Sequence, residues 1–454
     1  MNAHNTDFET TLARALEFHR AGQNETAAHY YARAICQRPD QPTAFSLLPL
    51  ASSRLSIELA IRYGRRSVRI EPSSSTYRTN LANQLTQINS SVQAQQQYCL
   101  AVILDPALAD SYYNFAVMLA TRGEFRQALT LYQRCLAIKP NWLQAKSNLA
   151  FVLLALDRYQ EAWPLYETRF LHHDYRSGLE QDLPFPHWDG RESLSGKRIL
   201  LWAEQGLGDA IQFCRFAINL VGQGNVEVGL LVRAPLAELM KSISPALRIH
   251  INIPTANEYD LHFPLMSLAR VANAQIDAIP FSKSAYLYST KTLKEKWSGL
   301  IPQRKTALVG IVWKSGAVSK ITGRSVELET FSRLSNLDIQ FVCLQKEISH
   351  EENALIESLT NFFIPVGTQA DLADTAAITD QLDLVISVDT SVAHLSAAMG
   401  KLTWVLLPKV ADWRWSTNRV DSAWYPNVTL FRQERQGDWS GLLDRVHRQL
   451  TKIF

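Results

Sequence analysis

The sequence lacks several features that would each point to a particular class of protein. Its five cysteines lie far apart and form no C-x-x-C pair, which disfavours a disulfide framework or a zinc site. No run of about 18 uninterrupted apolar residues occurs, so no membrane-spanning helix is expected. The formal net charge is only +3 over 454 residues, without the basic excess of nucleic-acid-binding proteins. We therefore expect neither a membrane span nor a nucleic-acid partner.

The beginning of the chain also gives no targeting signal. Residues 1–10 are polar and acidic rather than cationic and then apolar, so they do not read as a secretory leader. Cysteines that are odd in number and widely spaced suit a reducing compartment. The sequence therefore predicts a cytoplasmic protein. At this length, two to four domains are expected.

The first 176 residues carry an internal repeat. A proline closes successive amphipathic segments at intervals of 33, 34 and 34 residues, at Pro39, Pro72, Pro106 and Pro140. A small residue recurs in the same frame, at Ala27, Ala60, Ala94, Ala128 and Ala162. An aromatic residue follows four positions later, at Tyr31, Tyr98, Tyr132 and Tyr166, with Gly64 as the exception. Residues four apart share a helix face, so each repeat predicts a helical hairpin that must stack on its neighbours.

This pattern resembles the tetratricopeptide repeat, with five copies at about 8–40, 41–74, 75–108, 109–142 and 143–176. Pro49 interrupts the second copy, and the fifth carries Pro164 and Arg169 where a helix interior and a small residue are expected. We expect the second and fifth copies to bend or cap the array. The aromatic residues are expected to pack in the core, and the resemblance implies a protein partner bound on the concave surface.

After a polar, proline-containing linker at 177–196, the sequence pattern changes from helical repeats to alternating strands and helices. Short apolar runs alternate with helical stretches, which predicts parallel strands covered by helices on both faces. The strands are expected at 198–203, 226–232, 307–313, 339–344, 384–388 and 403–407. A polar stretch before residue 305 divides them into two Rossmann-like halves, 197–290 and 305–454. The predicted fold class is an α-solenoid followed by a two-lobed α/β region.

In open α/β sheets, ligands bind beyond the carboxyl ends of the strands, so residues that follow strands are the first site candidates. The first expected strand is followed by Gly206-Leu207-Gly208-Asp209, where two glycines allow a tight turn with exposed backbone at a helix N-terminus. Such a place suits an anion, so Gly208 is a candidate for binding a donor phosphate. The alternative interpretation is that the glycines only form the turn and Asp209 only caps the helix.

The fifth expected strand delivers a second candidate group. Asp389 follows the strand, Thr390 and Ser391 begin the next helix, and His394 lies one turn from Thr390 on the same face. Two hydroxyl groups at a helix N-terminus favour phosphate binding. The alternative is that Asp389 is an N-cap and His394 a buried structural histidine.

These two segments resemble the heptosyltransferase-like glycosyltransferases, whose two Rossmann domains face each other in a GT-B fold. Other stretches that carry the resemblance are 259–268, 310–314, 344–346, 412–415 and 424–426. Bacterial proteins that join tetratricopeptide repeats to such a domain are similar over essentially the whole chain. The resemblance implies an inverting, metal-independent transfer from a nucleotide-sugar donor to an acceptor protein, and some relatives are implicated in glycosylating flagellin.

The resemblance also implies roles for individual residues. Asp209 matches the general base, on the acceptor side, whereas Asp389, Thr390, Ser391 and His394 match the segment that holds the donor's sugar and diphosphate. Lys314 and Gln345, which follow their strands, are further donor-binding candidates. Lys320, Arg324 and Arg414 are weaker candidates, with solvated surface as the alternative. The segment 316–320 departs from the family's loop, which leaves the phosphate-binding lysine open.

No cofactor or metal is expected, because the α/β region contains no D-x-D triplet and side chains or a helix terminus can stabilise the leaving nucleotide. The predicted function is transfer of a sugar to a protein hydroxyl, with the repeats binding the acceptor. Two alternatives stay open at this point. One is a non-catalytic scaffold with a relict sugar-binding domain, and the other is a lipopolysaccharide heptosyltransferase.

Overall fold

The structure is a computed structural model that describes residues 3–171, 183–301, 306–316, 323–365 and 371–454. Four predictions fall on residues outside these ranges: the end of the repeat array at 176, the first part of the linker, the division at 305, and Lys320. The chain forms two compact units, Met1–Val152 and Leu153–Phe454. No helix within the described ranges has both the length and the apolar character needed to cross a bilayer.

The first unit consists of helices that pack against their sequence neighbours. They are α1 (Ala3–Arg20), α2 (Asn24–Gln37), α3 (Pro42–Ala51), α4 (Ile57–Ile70), α5 (Ser75–Gln87), α6 (Ser91–Leu104), α7 (Ala109–Thr121), α8 (Phe125–Ile138) and α9 (Leu143–Ala155), of which the last runs into the second unit. The recurring alanines and tyrosines of the repeat are buried, as expected for residues that let paired helices approach closely. The predicted helical repeat architecture is confirmed.

The second unit begins with α10 (Tyr159–Tyr166) and a 3₁₀ segment (Glu167–Leu171), followed by a four-stranded parallel sheet in the order β3-β2-β1-β4. Its strands are β1 (Lys197–Trp202), β2 (Val226–Leu231), β3 (Leu247–His250) and β4 (Leu261–Pro264). Its helices are α11 (Leu207–Gly222), α12 (Ala234–Met240) and α13 (Leu268–Val271). The segment before β1 lies along the edge of this sheet, where the N–H of Trp188 donates to the carbonyl of His262 at 2.9 Å.

The remaining sheet has six parallel strands in the order β10-β9-β8-β5-β6-β7. These are β5 (Ala307–Val312), β6 (Ile339–Cys343), β7 (Phe362–Phe363), β8 (Leu384–Val388), β9 (Thr403–Leu407) and β10 (Val428–Arg432). The accompanying helices are α14 (Lys291–Ser298), α15 (Leu328–Phe331), α16 (His350–Ser358), α17 (Leu372–Thr379), α18 (Ser391–Ala398) and α19 (Trp439–Ile453). β8 is buried along its whole length, as expected for a central strand covered on both faces. The predicted two-lobed α/β fold class is confirmed.

The two sheets are fastened together by buried polar contacts inside the second unit. Arg215 of α11 is fully buried and donates to the carbonyl of Trp424 at 2.6 Å and to the hydroxyl of Tyr286 at 2.7 Å. The guanidinium also lies over the rings of both residues. A buried cation that is satisfied by partners from both lobes holds the lobes in one arrangement, because separating them would leave its charge unpaired.

Candidate active site

Asp209 lies in the first turn of α11, directly beyond the carboxyl end of β1. One oxygen of its carboxylate accepts a hydrogen bond from the N–H of Gly206 at 2.8 Å, which caps the helix. The other oxygen lies 2.5 Å from the guanidinium of Arg414, and the side chain of Asp209 is 19% exposed. Asp209 therefore caps α11, as the alternative interpretation expects. Capping is not its sole contact, because the carboxylate also forms an ion pair with Arg414 of the second lobe.

The segment after β8 places its polar groups at the start of α18. Thr390, and not Asp389, is the N-cap: its hydroxyl accepts from the N–H of Ala393 at 3.4 Å and contacts the hydroxyl of Ser387 at 2.9 Å. Asp389 is buried and pairs with Arg324 at 3.2 Å. Ser391 is the first residue of α18, so its backbone N–H is one of the unpaired donors of the helix terminus.

The two predicted segments meet at Gly208. A Cβ atom at this position would lie 2.9 Å from Cδ2 of His394 and 3.6 Å from Cα of Ser391. The first distance is shorter than real Cβ contacts allow, so glycine is what permits α11 and α18 to pack against each other here. The structure therefore brings the acceptor-side and donor-side candidates into one place.

Alternating charges link the candidates across the lobes. Arg414 bridges Asp209 and Asp412, with a distance of 2.8 Å to Asp412. Arg324 bridges Asp412 and Asp389, with a distance of 3.1 Å to Asp412. Burial alone lowers the pKa of Arg414, but the nearby carboxylates of Asp209 and Asp412 keep that pKa well above its usual value. Burial raises the pKa of Asp389, since it disfavours the charged carboxylate.

His394 is neutral in this environment. Its ring is buried, stacks on Trp415 at 5.0 Å between centroids, and joins the hydroxyl of Tyr425 through Nδ1 at 2.8 Å. Burial lowers the pKa of His394 to about 3, and the positive charge of Arg414 acts in the same direction. The imidazole therefore packs the interface between α11 and α18 without carrying a charge at neutral pH.

A cavity of about 240 Å³ opens beside this network, beyond the carboxyl ends of β5, β6 and β8. Four of the predicted donor-binding residues line it: Lys314, Gln345, Thr390 and Ser391. Leu207 and Pro235 of the first lobe face them. Within the described residues, the cavity wall does not include the other predicted site residues, which are Gly208, Asp209, Asp389 and His394. The candidate residues therefore fall into two neighbouring groups, one lining the cavity and the other forming the charged network beside it.

Lys314 and Gln345 are held by local contacts. The ammonium group of Lys314 pairs with Glu352, whose other carboxylate oxygen accepts from Nε1 of Trp313 at 2.6 Å. The backbone N–H of Lys314 donates to Oε1 of Gln345 at 3.2 Å. Burial would raise the pKa of Glu352, but the hydrogen bond from Lys314 and other donors lowers it below the usual value. The carboxylate of Glu352 therefore offsets the positive charge of the Lys314 ammonium group.

Sequence reasoning missed three residues: Asp412 in the charged network, Tyr425 beside His394, and Glu352 beside Lys314. The sequence marks the segment 412–415 only as a stretch of resemblance and names Arg414 alone as a candidate. The acidic and basic residues on either side of Trp413 are the signal that points to Asp412. Among the described residues, no group of three or more His, Cys, Asp or Glu side chains is placed to hold a metal ion.

Two protein-family models match parts of this chain. Residues 328–409 match the model of glycosyltransferase family 9 (heptosyltransferase), and residues 108–139 match a tetratricopeptide repeat model. The first of these ranges contains Gln345 and the segment from Asp389 to His394, whereas Asp209 and Lys314 lie outside it. Protein FlbA of Caulobacter vibrioides is 25% identical over 458 residues, which cover 94% of this chain and 76% of that protein.

Solved structures with similarity to this chain include MamA, with a TM-score of 0.30 and 17% identity, over 38% of this chain and 95% of that one. Pseudomonas aeruginosa pilF has a TM-score of 0.34 and 16% identity, over 37% and 77% of the two chains. The type IV pilus biogenesis factor PilW has a TM-score of 0.33 and 19% identity, over 38% and 78%.

Proposed function

Because this chain joins tetratricopeptide repeats to a C-terminal glycosyltransferase family 9 domain, we propose that it moves a sugar from a nucleotide-sugar donor to a hydroxyl group of a protein. The observation that carries the proposal is the approach of Gly208 to Ser391 and His394. It brings a carboxylate from one lobe next to a helix N-terminus from the other. Transfer needs both a proton acceptor and a seat for an anionic leaving group.

The donor's diphosphate is proposed to bind at the N-terminus of α18, where Thr390 and Ser391 line the cavity. Lys314 and Gln345 line the same cavity and are proposed to contact phosphate and nucleotide. Arg414 pairs with Asp209 and is proposed to add positive potential beside the leaving group. Stabilising a diphosphate in this way requires no metal, so the transfer is proposed to be metal-independent.

Asp209 is proposed to remove the proton from the acceptor hydroxyl while the oxygen attacks the anomeric carbon. The bond from that carbon to the diphosphate oxygen breaks, the electron pair leaves with the nucleotide, and the configuration inverts. Both oxygens of Asp209 are engaged, one by the N–H of Gly206 and one by the guanidinium of Arg414. The acceptor hydroxyl must therefore displace at least one of these contacts, because each carboxylate oxygen already accepts a hydrogen bond.

The repeats are proposed to bind the acceptor protein, as tetratricopeptide arrays present a continuous surface for partners. Flagellin is the acceptor that the family resemblance suggests, and a cytoplasmic location follows if the acceptor is modified before export.

The test uses the full chain with ADP-, CMP-, UDP- and GDP-sugars, first by thermal shift and then by turnover. A donor that binds the folded state raises the melting temperature. Replacing the base, Asp209→Asn, is expected to lower kcat by about 10²- to 10⁴-fold with donor affinity retained. Asp444→Asn is the control, because Asp444 is exposed on α19.

Three results would count against the proposal in different ways. Binding of a donor without turnover in the wild type would favour the non-catalytic scaffold. Equal turnover in wild type and Asp209→Asn would exclude Asp209 as the base. Transfer to a lipid acceptor but to no protein would favour the heptosyltransferase alternative.

A further inference from the structure

Arg169 breaks the repeat pattern, and the structure gives the reason. It lies in the 3₁₀ segment Glu167–Leu171, where the repeat frame calls for a small residue, and it is 5% exposed. Its guanidinium donates to the carbonyl of Tyr166 at 3.1 Å and to Oε1 of Glu167 at 2.6 Å. It also lies 4.0 Å from the ring centroid of Phe170. The buried guanidinium of Arg169 therefore makes several specific contacts in addition to ending the helix.

The other arm of Arg169 reaches the loop that carries the candidate base. One nitrogen donates to Oε1 of Glu204 at 2.8 Å and to the hydroxyl of Ser267 at 2.7 Å. Glu204 lies between β1 and α11, five residues before Asp209, and its side chain is 1% exposed. Its second oxygen accepts from the N–H of Met266 at 3.3 Å. The pair thus ties the segment after α10 to the loops that follow β1 and β4.

A second contact acts on the same loop. Nε2 of Gln205 donates to the hydroxyl of Tyr166 at 3.2 Å, one residue along from Glu204. The ring of Tyr166 also packs edge-on against Trp413, at 6.4 Å between centroids, beside Arg414. Residues 203–206 are therefore held by α10 and the 3₁₀ segment on one side, and by the first turn of α11 on the other.

The energetics argue against a role in stability alone. A buried ion pair costs desolvation, and an apolar pair of similar volume is usually as stabilising, so such a pair is weak support for a purely structural purpose. Burial raises the pKa of Glu204, and the positive charge of Arg169 opposes that rise. Beyond packing, the ion pair fixes the orientation of the Glu204 carboxylate, because a guanidinium holds a carboxylate through oriented hydrogen bonds.

We propose that Arg169 is a positioning residue that acts through Glu204 to fix the loop between β1 and α11, and with it the carboxylate of Asp209. The proposal rests on the proposed function for its catalytic consequence. Its structural part, the restraint on residues 203–209, stands independently of that function. Arg169 touches no reacting atom, so its effect is on the geometry of the base and not on the chemistry.

The test compares Arg169→Met with Arg158→Met in the full chain. Arg158 precedes α10 and pairs with Glu161 in solvent, so its loss removes an arginine and an exposed ion pair nearby that do not reach the loop. Amide hydrogen exchange of residues 203–209 is expected to rise in Arg169→Met and to match the wild type in Arg158→Met. With a donor identified, kcat is expected to fall by about 10²-fold with donor KM unchanged, as for a misplaced catalytic group.

Two further variants keep the test decisive if Arg169→Met folds poorly. Arg169→Lys retains the charge with fewer donors and is expected to recover part of kcat. The double variant Arg169→Met with Glu204→Gln leaves no buried charge unpaired and is expected to fold while the loop still exchanges faster. Exchange at 203–209 equal to the wild type in this folded double variant would overturn the proposal.

Faster exchange with unchanged kcat would overturn the positioning role as well. If no protein, including the wild type, transfers sugar from any donor, the proposed function fails, and the exchange measurement still decides whether Arg169 restrains the loop.

Discussion

Gly208→Ala probes the meeting of the two lobes more directly than any change to a charged residue. The added Cβ would lie 2.9 Å from Cδ2 of His394 and would also touch Cα of Ser391. His394 has little freedom to move, since its ring stacks on Trp415 and is tied to Tyr425. Overpacking at such a place typically costs about 1–3 kcal/mol. The lobes must shift apart locally to accept the methyl group.

Gly222→Ala is the matched control on the same helix. A Cβ at Gly222, the last residue of α11, meets no atom within 4 Å. Replacing a helical glycine by alanine at a site without strain stabilises by about 0.4–1 kcal/mol, because the unfolded chain loses freedom. The two substitutions are chemically identical, so their difference in the free energy of unfolding reports the contact with α18 alone.

Urea unfolding followed by tryptophan fluorescence is a suitable assay. Of the 11 tryptophans, only Trp142 precedes residue 153, so the signal comes almost entirely from the second compact unit. Gly208→Ala is expected to unfold at lower urea than wild type, and Gly222→Ala at equal or higher urea. Donor binding is expected to weaken in Gly208→Ala only. Equal unfolding midpoints for the two variants would refute the close approach of α11 to α18.

Two further predictions concern protonation and thiol reactivity. The pKa of His394 is lowered to about 3 by burial, so between pH 6.5 and about 3 the unfolded state binds a proton that the folded state does not. Stability falls as pH drops through this range, by up to about 1.4 kcal/mol per pH unit, and His394→Asn is expected to flatten the unfolding free energy measured against pH. A thiol reagent is expected to modify exposed Cys36 at once in the native protein. Buried Cys214 and Cys343, whose thiol pKa is raised to about 12, are expected to react only in denaturant.

Three of the four strands that sequence reasoning missed are shorter than the six that it found, whereas β10 is as long as β8 and β9. The six expected strands are apolar runs, and all six are present, among them β1, β5 and β8. Four others were not expected: β3, β4, β7 and β10. β3 is the four-residue Leu-Arg-Ile-His, β4 ends in Pro264, and β7 has two residues. Short or polar strands acquire their structure from pairing with a neighbour, which a local pattern does not contain.

The candidate site also combines features set by the local sequence with features set by tertiary contacts. The sequence by itself determined which residues stand at strand ends and helix starts, because strand, turn and helix N-terminus are local features. It therefore selected Asp209, Asp389, Thr390 and Ser391. It also marked Arg169 as a departure from the repeat.

Only the tertiary structure decided which charges meet. The partners of Asp209 and Arg169 lie 205 and 35 residues away along the chain, in Arg414 and Glu204. Nothing in residue spacing fixes such a pairing, since it depends on how two sheets and the segment after α10 pack together. The same packing made Gly208 a contact point and His394 a buried, neutral side chain, because burial and close approach exist only once the chain is folded.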